Sequence, residues 1–169
     1  MKSIRPLALA LGLFGAASTA QAQDDSDALV SFSVMKPEIA VTLAQAALES
    51  CRGEGAQIAV AVVDRFGNLQ MMLRDRFAGP HTPETARRKA WTAVSFRADT
   101  LTLSETTKPG TEAYGANFIT EALMLGGGVP VEAHGSIIGA VGVSGAPSGE
   151  MDDGCARAGI DAVAADLAF

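Results

Sequence analysis

Gly126-Gly127-Gly128-Val129-Pro130-Val131 runs through His134-Gly135 into Ser136-Ile137-Ile138-Gly139-Ala140-Val141-Gly142-Val143, and the chain then breaks at Ser144-Gly145-Ala146-Pro147. Two extended apolar runs on either side of an X-Gly pair predict a tight β-hairpin with His134 at its tip. Glycines at 139 and 142 weaken a strand, so each needs a reason. Either a helix lies tightly against the sheet there, or a flat ligand does. Beyond the break, residues 150–167 predict a closing helix that carries Cys155, with Asp152 and Asp153 near its positive end.

Upstream, Ile39, Leu43, Ala46 and Ala47 recur at helical spacing from Lys36 to about Arg52, and Gly53 offers a stop. Ile58 to Val63 is a continuous apolar, β-branched run, and Arg65-Phe66-Gly67 supplies a turn into Leu69 to Arg74, a second strand. Asp64 ends the first strand, where its carboxylate is suited to local backbone N–H groups. Thr82, as N-cap, and Pro83 start a helix running to about Arg97, whose small face of Ala86, Ala90, Ala93 and Val94 permits close approach to a sheet. Asp99 to Gly115 reads as a helical turn and a loop, and Asn117 to Leu125 as a short helix or an edge strand. The order is helix-strand-strand-helix(-helix)-strand-strand(-strand)-helix. Antiparallel hairpins separated by helices predict an α+β domain with about five strands.

Gly-Gly-Val-Pro at 127–130, Gly-Ala-Val-Gly-Val-Ser-Gly at 139–145, and Asp152-Asp153 ahead of Cys155-Ala156-Arg157-Ala158-Gly159 resemble the C-terminal half of the GlcG/HbpS-like proteins. Ala59-Val60-Ala61-Val62-Val63-Asp64-Arg65-Phe66-Gly67-Asn68, then Arg74, then Ala86-Arg87-Arg88-Lys89-Ala90 are similar to the N-terminal half. The resemblance covers most of the chain beyond residue 36. It implies a profilin-like fold, an oligomer, and haem binding in some members.

Lys2 and Arg5, the apolar run from Leu7 to Ala17 and the small-x-small Ala20-Gln21-Ala22 predict a cleaved signal peptide over residues 1–22 and a periplasmic or secreted protein. The run is shorter than the roughly 18 to 20 residues of a membrane span. Residues 23–35 then form a short acidic leader, and residues 36–169 a single domain. Loss of Lys2 and Arg5 takes the net charge from −6 to −8. That balance argues against nucleic acid or an anionic membrane surface as a partner. The cysteines, Cys51 and Cys155, make a disulfide the simplest reading for an exported chain, ahead of a metal site or a reactive thiol.

Phosphate-binding loops of the Gly-x-Gly-x-x-Gly or Gly-x-x-x-x-Gly-Lys type are missing, and His81 and His134 show no zinc-type spacing. Ser144 lacks a completed Gly-x-Ser-x-Gly. A haem needs an axial ligand, apolar walls and cations for its propionates. His81 is the candidate iron ligand, with His134 and Tyr114 competing. Arg74, Arg87, Arg88 and Lys89 are the candidate cations, and Met71, Met72, Leu73 and Phe77 the candidate walls. The alternative for His81 is an exposed turn, and for the arginines a solvated helix face. The leading expectation is a homo-oligomeric small-molecule-binding protein with haem as ligand, with no enzyme activity required. The others are an enzyme acting on haem or a small organic acid, and a ligand-free structural module serving a sensor or transport partner.

Overall fold

Pro37 in the first turn and Gly53 in the last bound the opening helix, and the computed structural model, which describes residues 29–168, places α1 at Pro37–Gly53. The signal peptide expected over residues 1–22 and the start of the leader lie outside the described residues. There follow β1 (Ala59–Asp64), β2 (Leu69–Arg74), α2 (Thr82–Phe96), α3 (Thr100–Thr106), a 3-10 turn (Glu112–Phe118), β3 (Gly128–Ala133), β4 (Ser136–Ser144) and α4 (Gly149–Leu167).

The strands form one antiparallel sheet in the order β2-β1-β4-β3. The described residues therefore hold four strands, against the expected five or so, because residues 119–126 cross from the 3-10 turn to β3 without joining the sheet. The hairpin at the β3–β4 corner is as expected: His134 and Gly135 take φ values of 51° and 71°. Asp64 also behaves as its position implies, accepting from Phe66 N at 2.8 Å and Asn68 N at 2.9 Å.

Alternation along the strands sends two different sets of side chains to the two faces. Val60, Val62, Val141 and Val143 pack with Leu43, Ala47 and Val163 from α1 and α4. On the other face, Ala59, Ala61, Val63 and Ala140 meet Ala86, Ala90 and Ala93 of α2. Small residues here bring backbone onto backbone. A Cβ on Gly142 would lie 2.0 Å from Ala86 O, and one on Gly128 2.3 Å from Lys89 O. At Gly142 the close approach is a helix, which resolves one of the alternatives left by the sequence; at Gly139 it is the Val63 carbonyl of β1, 2.4 Å from a built Cβ.

On the α1/α4 face, Cys51 and Cys155 form the expected disulfide, with Cα atoms 5.6 Å apart and both residues fully buried. Gly159 deepens the same contact, since its Cβ would stand 2.7 Å from Leu43 O. On the outer strand β3, Pro130 pairs opposite Ala140, and the register shifts between Val131 and Glu132. Thr82 is the first helical residue rather than the N-cap; that position belongs to His81, and the Thr82 hydroxyl donates to Gly79 O at 2.8 Å.

Candidate functional site

A cleft of about 740 Å³ opens where the N-terminal half of α2 faces the β4–α4 loop. One wall is the loop and first turns of α2, with Phe77, Gly79, His81, Thr85 and Arg88. The β4–α4 loop lines the cleft from Gly145 to Gly149, and Leu123, Leu125 and residues 55–57 complete the lining, with a Cβ on Gly145 reaching within 2.7 Å of Gln57 O. Its size falls within the roughly 300–1,000 Å³ of small-ligand pockets.

His81 stands at the rim. Its ring lies against Gly79, where a Cβ would come within 2.7 Å of the imidazole Cε1 and 2.9 Å of Nδ1. Among the described residues, neither ring nitrogen makes a hydrogen bond, whereas its backbone carbonyl accepts from Thr85 N at 3.1 Å and the Thr85 hydroxyl at 3.0 Å. The backbone is fixed and the imidazole is free to meet a ligand. Apolar surface stands beside it: Phe77 is 80% exposed and Leu125 47%.

The floor is a buried ion pair. Lys89 Nζ donates to Asp152 Oδ2 at 2.7 Å and to Val143 O at 2.9 Å, and the two side chains are only 1% and 5% exposed. Asp152 Oδ1 accepts from Ala146 N at 3.0 Å. A single carboxylate thus ties α2 to the loop forming the opposite wall. Burial pushes the Asp152 carboxyl above its ordinary range and the Lys89 ammonium below its own, with the mutual attraction opposing both shifts. Asp152 and Asp153 accordingly do more than face a helix dipole: Asp153 accepts from Arg157 Nε at 2.7 Å.

The other cations named from the sequence separate. Arg87 donates to Glu84 at 2.7 Å and to Glu121 at 2.6 Å, which raises its already high pKa. Arg88 lines the cleft and donates to backbone carbonyls of residues 120–122. Arg74, at the end of β2, donates to the Ala78 carbonyl. Met72 packs on Ala59, Ala61 and Ala86 in the core, away from the cleft lining. His134, at the hairpin tip, borders a different hollow beside Asp166 and Leu167. Of the sequence candidates, the cleft gathers Phe77, His81, Arg88 and Lys89; Asp152, Leu123 and Leu125 are additions not named as site residues from the sequence.

Sheet, helices and cleft define a profilin-like α+β domain with a ligand-sized recess at one helix N-terminus. The chain belongs to the HbpS-like family: the family model described as "Haem degrading protein HbpS-like" matches residues 35–161. A double mutant of HbpS from Streptomyces reticuli superposes with a TM-score of 0.75 at 36% identity, over 92% of this chain and 97% of that one. A PduOC:heme complex does so with a TM-score of 0.73 at 30% identity, over 77% of this chain and 95% of the other. GlcG of Escherichia coli K12 is 33% identical over 113 residues, 66% of this chain and 81% of its own. The chain spans 63% of a 15.0 kDa protein from the dhaT-dhaS intergenic region of Citrobacter freundii, at 36% identity over 90 residues, which is 52% of this chain. It spans 36% of the corrinoid adenosyltransferase PduO of Salmonella typhimurium, at 32% identity over 123 residues, which is 72% of this chain. Among the described residues, no helix is long and apolar enough to cross a membrane.

Proposed function

We propose that this chain is an exported haem-binding protein that works as a homo-oligomer and holds its ligand in the cleft beside α2. The observation that carries the reading is the pairing of an unbonded His81 imidazole, seated on Gly79, with exposed apolar surface from Phe77 and Leu125 in one ligand-sized recess. The donor set fits a haem: His81 would hold the iron through a ring nitrogen, and Phe77, Leu123, Leu125 and Pro147 would cover the macrocycle faces. Bound haem would supply iron-centred redox and ligand chemistry; the chain supplies a nitrogen donor and shelter from water. The haem complex of the related PduOC domain supports the reading.

Titration with haemin tests it. A saturable Soret shift is expected in the wild type, and a weaker or displaced band in His81→Ala; no specific spectral change in the wild type rejects haem as the ligand. The description of the matched family favours a second reading, in which bound haem is consumed. With ascorbate and air present, decay of the Soret band with iron release selects it, and a stable band selects simple binding.

Assembly has a candidate surface in Phe32, Val34, Phe66 and Leu69, all exposed, with Arg65 stacked 4.1 Å over the Phe32 ring. Export rests on the charged, then apolar, then small-residue pattern of the first 22 residues.

A further inference from the structure

We infer that Arg88 recognises a carboxylate of the bound ligand, so that the cleft selects a planar apolar macrocycle carrying an anionic edge. This rests on the haem-binding reading and narrows it to one residue and one chemical feature of the ligand.

The neighbouring cations are compensated in different ways. Arg87 meets two carboxylates, Glu84 and Glu121. Lys89 meets Asp152 and is buried beneath the surface that a ligand would touch. Arg74 is not part of the cleft lining. Arg88 differs from all of them. Its Nε donates to Glu121 O at 3.2 Å, and its Nη2 to Ala122 O at 2.6 Å and Thr120 O at 3.3 Å. These acceptors are backbone dipoles, which fix the guanidinium plane without neutralising its charge. Among the described residues, no carboxylate lies within ion-pair distance of Arg88, and neither N–H of its Nη1 has an acceptor. Glu84, one turn earlier on α2, is held by Arg87.

A guanidinium that is charged, oriented and short of an acceptor is preorganised for a carboxylate. The N-terminus of α2 adds positive potential on the same side. Phe77 and Leu125 then suit the apolar face of the ligand while Arg88 meets its anionic edge.

The test compares haemin with haemin dimethyl ester, whose propionates carry no charge, on the wild type and on Arg88→Met. The four affinities form a cycle that isolates the charge interaction. The wild type is expected to favour haemin over the ester by about tenfold, the scale of one charge-assisted hydrogen bond, and Arg88→Met to bind the two with equal affinity. Equal wild-type affinity for haemin and ester overturns the inference and needs no variant. Equal weakening of both ligands in Arg88→Met also overturns it, since Arg88 would then act by tethering residues 120–122. If neither compound gives a Soret shift with the wild type, the haem reading itself falls and this assignment with it.

Discussion

Replacing Lys89 by Met removes the cation from the cleft floor and leaves the Asp152 carboxylate in a site only 5% exposed, with Ala146 N, 3.0 Å from Oδ1, as its remaining close donor. Breaking a buried pair from one side costs about 3–5 kcal/mol, because the stranded charge has lost both water and partner. That is a drop of roughly a hundredfold or more in the folded-to-unfolded ratio, and about 1 M in a guanidinium chloride midpoint. The double variant Lys89→Met, Asp152→Leu removes both charges, so the stranded-charge penalty disappears. Both variants leave the Val143 carbonyl without Lys89 Nζ, and beyond that shared loss the double variant's deficit is the unpaired Ala146 N–H, about 1–3 kcal/mol. The single variant is therefore expected to be less stable than the double.

Acid separates them further. Asp152 has a native pKa raised above its unfolded value by burial, and loss of Lys89 raises it more. A raised native pKa contributes stability that is fully present below the unfolded carboxylate value and lost as pH rises through the native one. The deficit of Lys89→Met should thus shrink as pH falls from 7 toward 4, while that of the double variant, which has no carboxylate at 152 to titrate, does not shrink. Equilibrium unfolding followed by far-UV circular dichroism at several pH values reads this out. A single variant within about 1 kcal/mol of wild type at pH 7, or one whose deficit ignores pH, would refute the assignment of a charged pair.

Two further outcomes follow from the core. Replacing both cysteines by alanine opens a link between residues 104 apart, for which loop entropy gives about 4.7 kcal/mol and a fall of roughly 10–20 °C in melting temperature; calorimetry showing no change in melting temperature would contradict that contribution. Gly142→Ala sets a Cβ 2.0 Å from Ala86 O and 2.7 Å from Ala90 N, both backbone, and is expected to cost at least about 3 kcal/mol in chemical denaturation. Gly154→Ala, with open space around its Cβ inside α4, is the matching control and should stabilise by about 0.5–1 kcal/mol.

What could be read in the sequence was set by how local each signal is. The His134-Gly135 turn and the Asp64 turn are specified by residues in contact along the chain, and both appear as expected. The disulfide had one possible pairing. The small face of α2 and Gly142 of β4 point to the same close contact from its two sides. Residues 119–125 misled because their apolar content, Ile119, Ala122, Leu123 and Leu125, suits a strand, but no ladder partner receives them.

The basic run Arg87-Arg88-Lys89 looked like one anion site, yet consecutive helical residues point about 100° apart. One side chain therefore turns to Glu84 and Glu121, one to the carbonyls of residues 120–122, and one inward to Asp152. Asp152 itself was out of reach of pattern reading. Its partner lies 63 residues earlier, and an acid in a first helical turn is ordinarily explained by the helix alone.

The outer strand β3 has a role beyond closing the sheet. Pro130 brings no N–H to offer, and the register shift between Val131 and Glu132 breaks the regular spacing of the groups that would receive an incoming strand. A flat, continuous border would template pairing with any extended chain, including other copies crowded together before they finish folding. The irregularity of β3 thus gives the hairpin some protection against aggregation along that border.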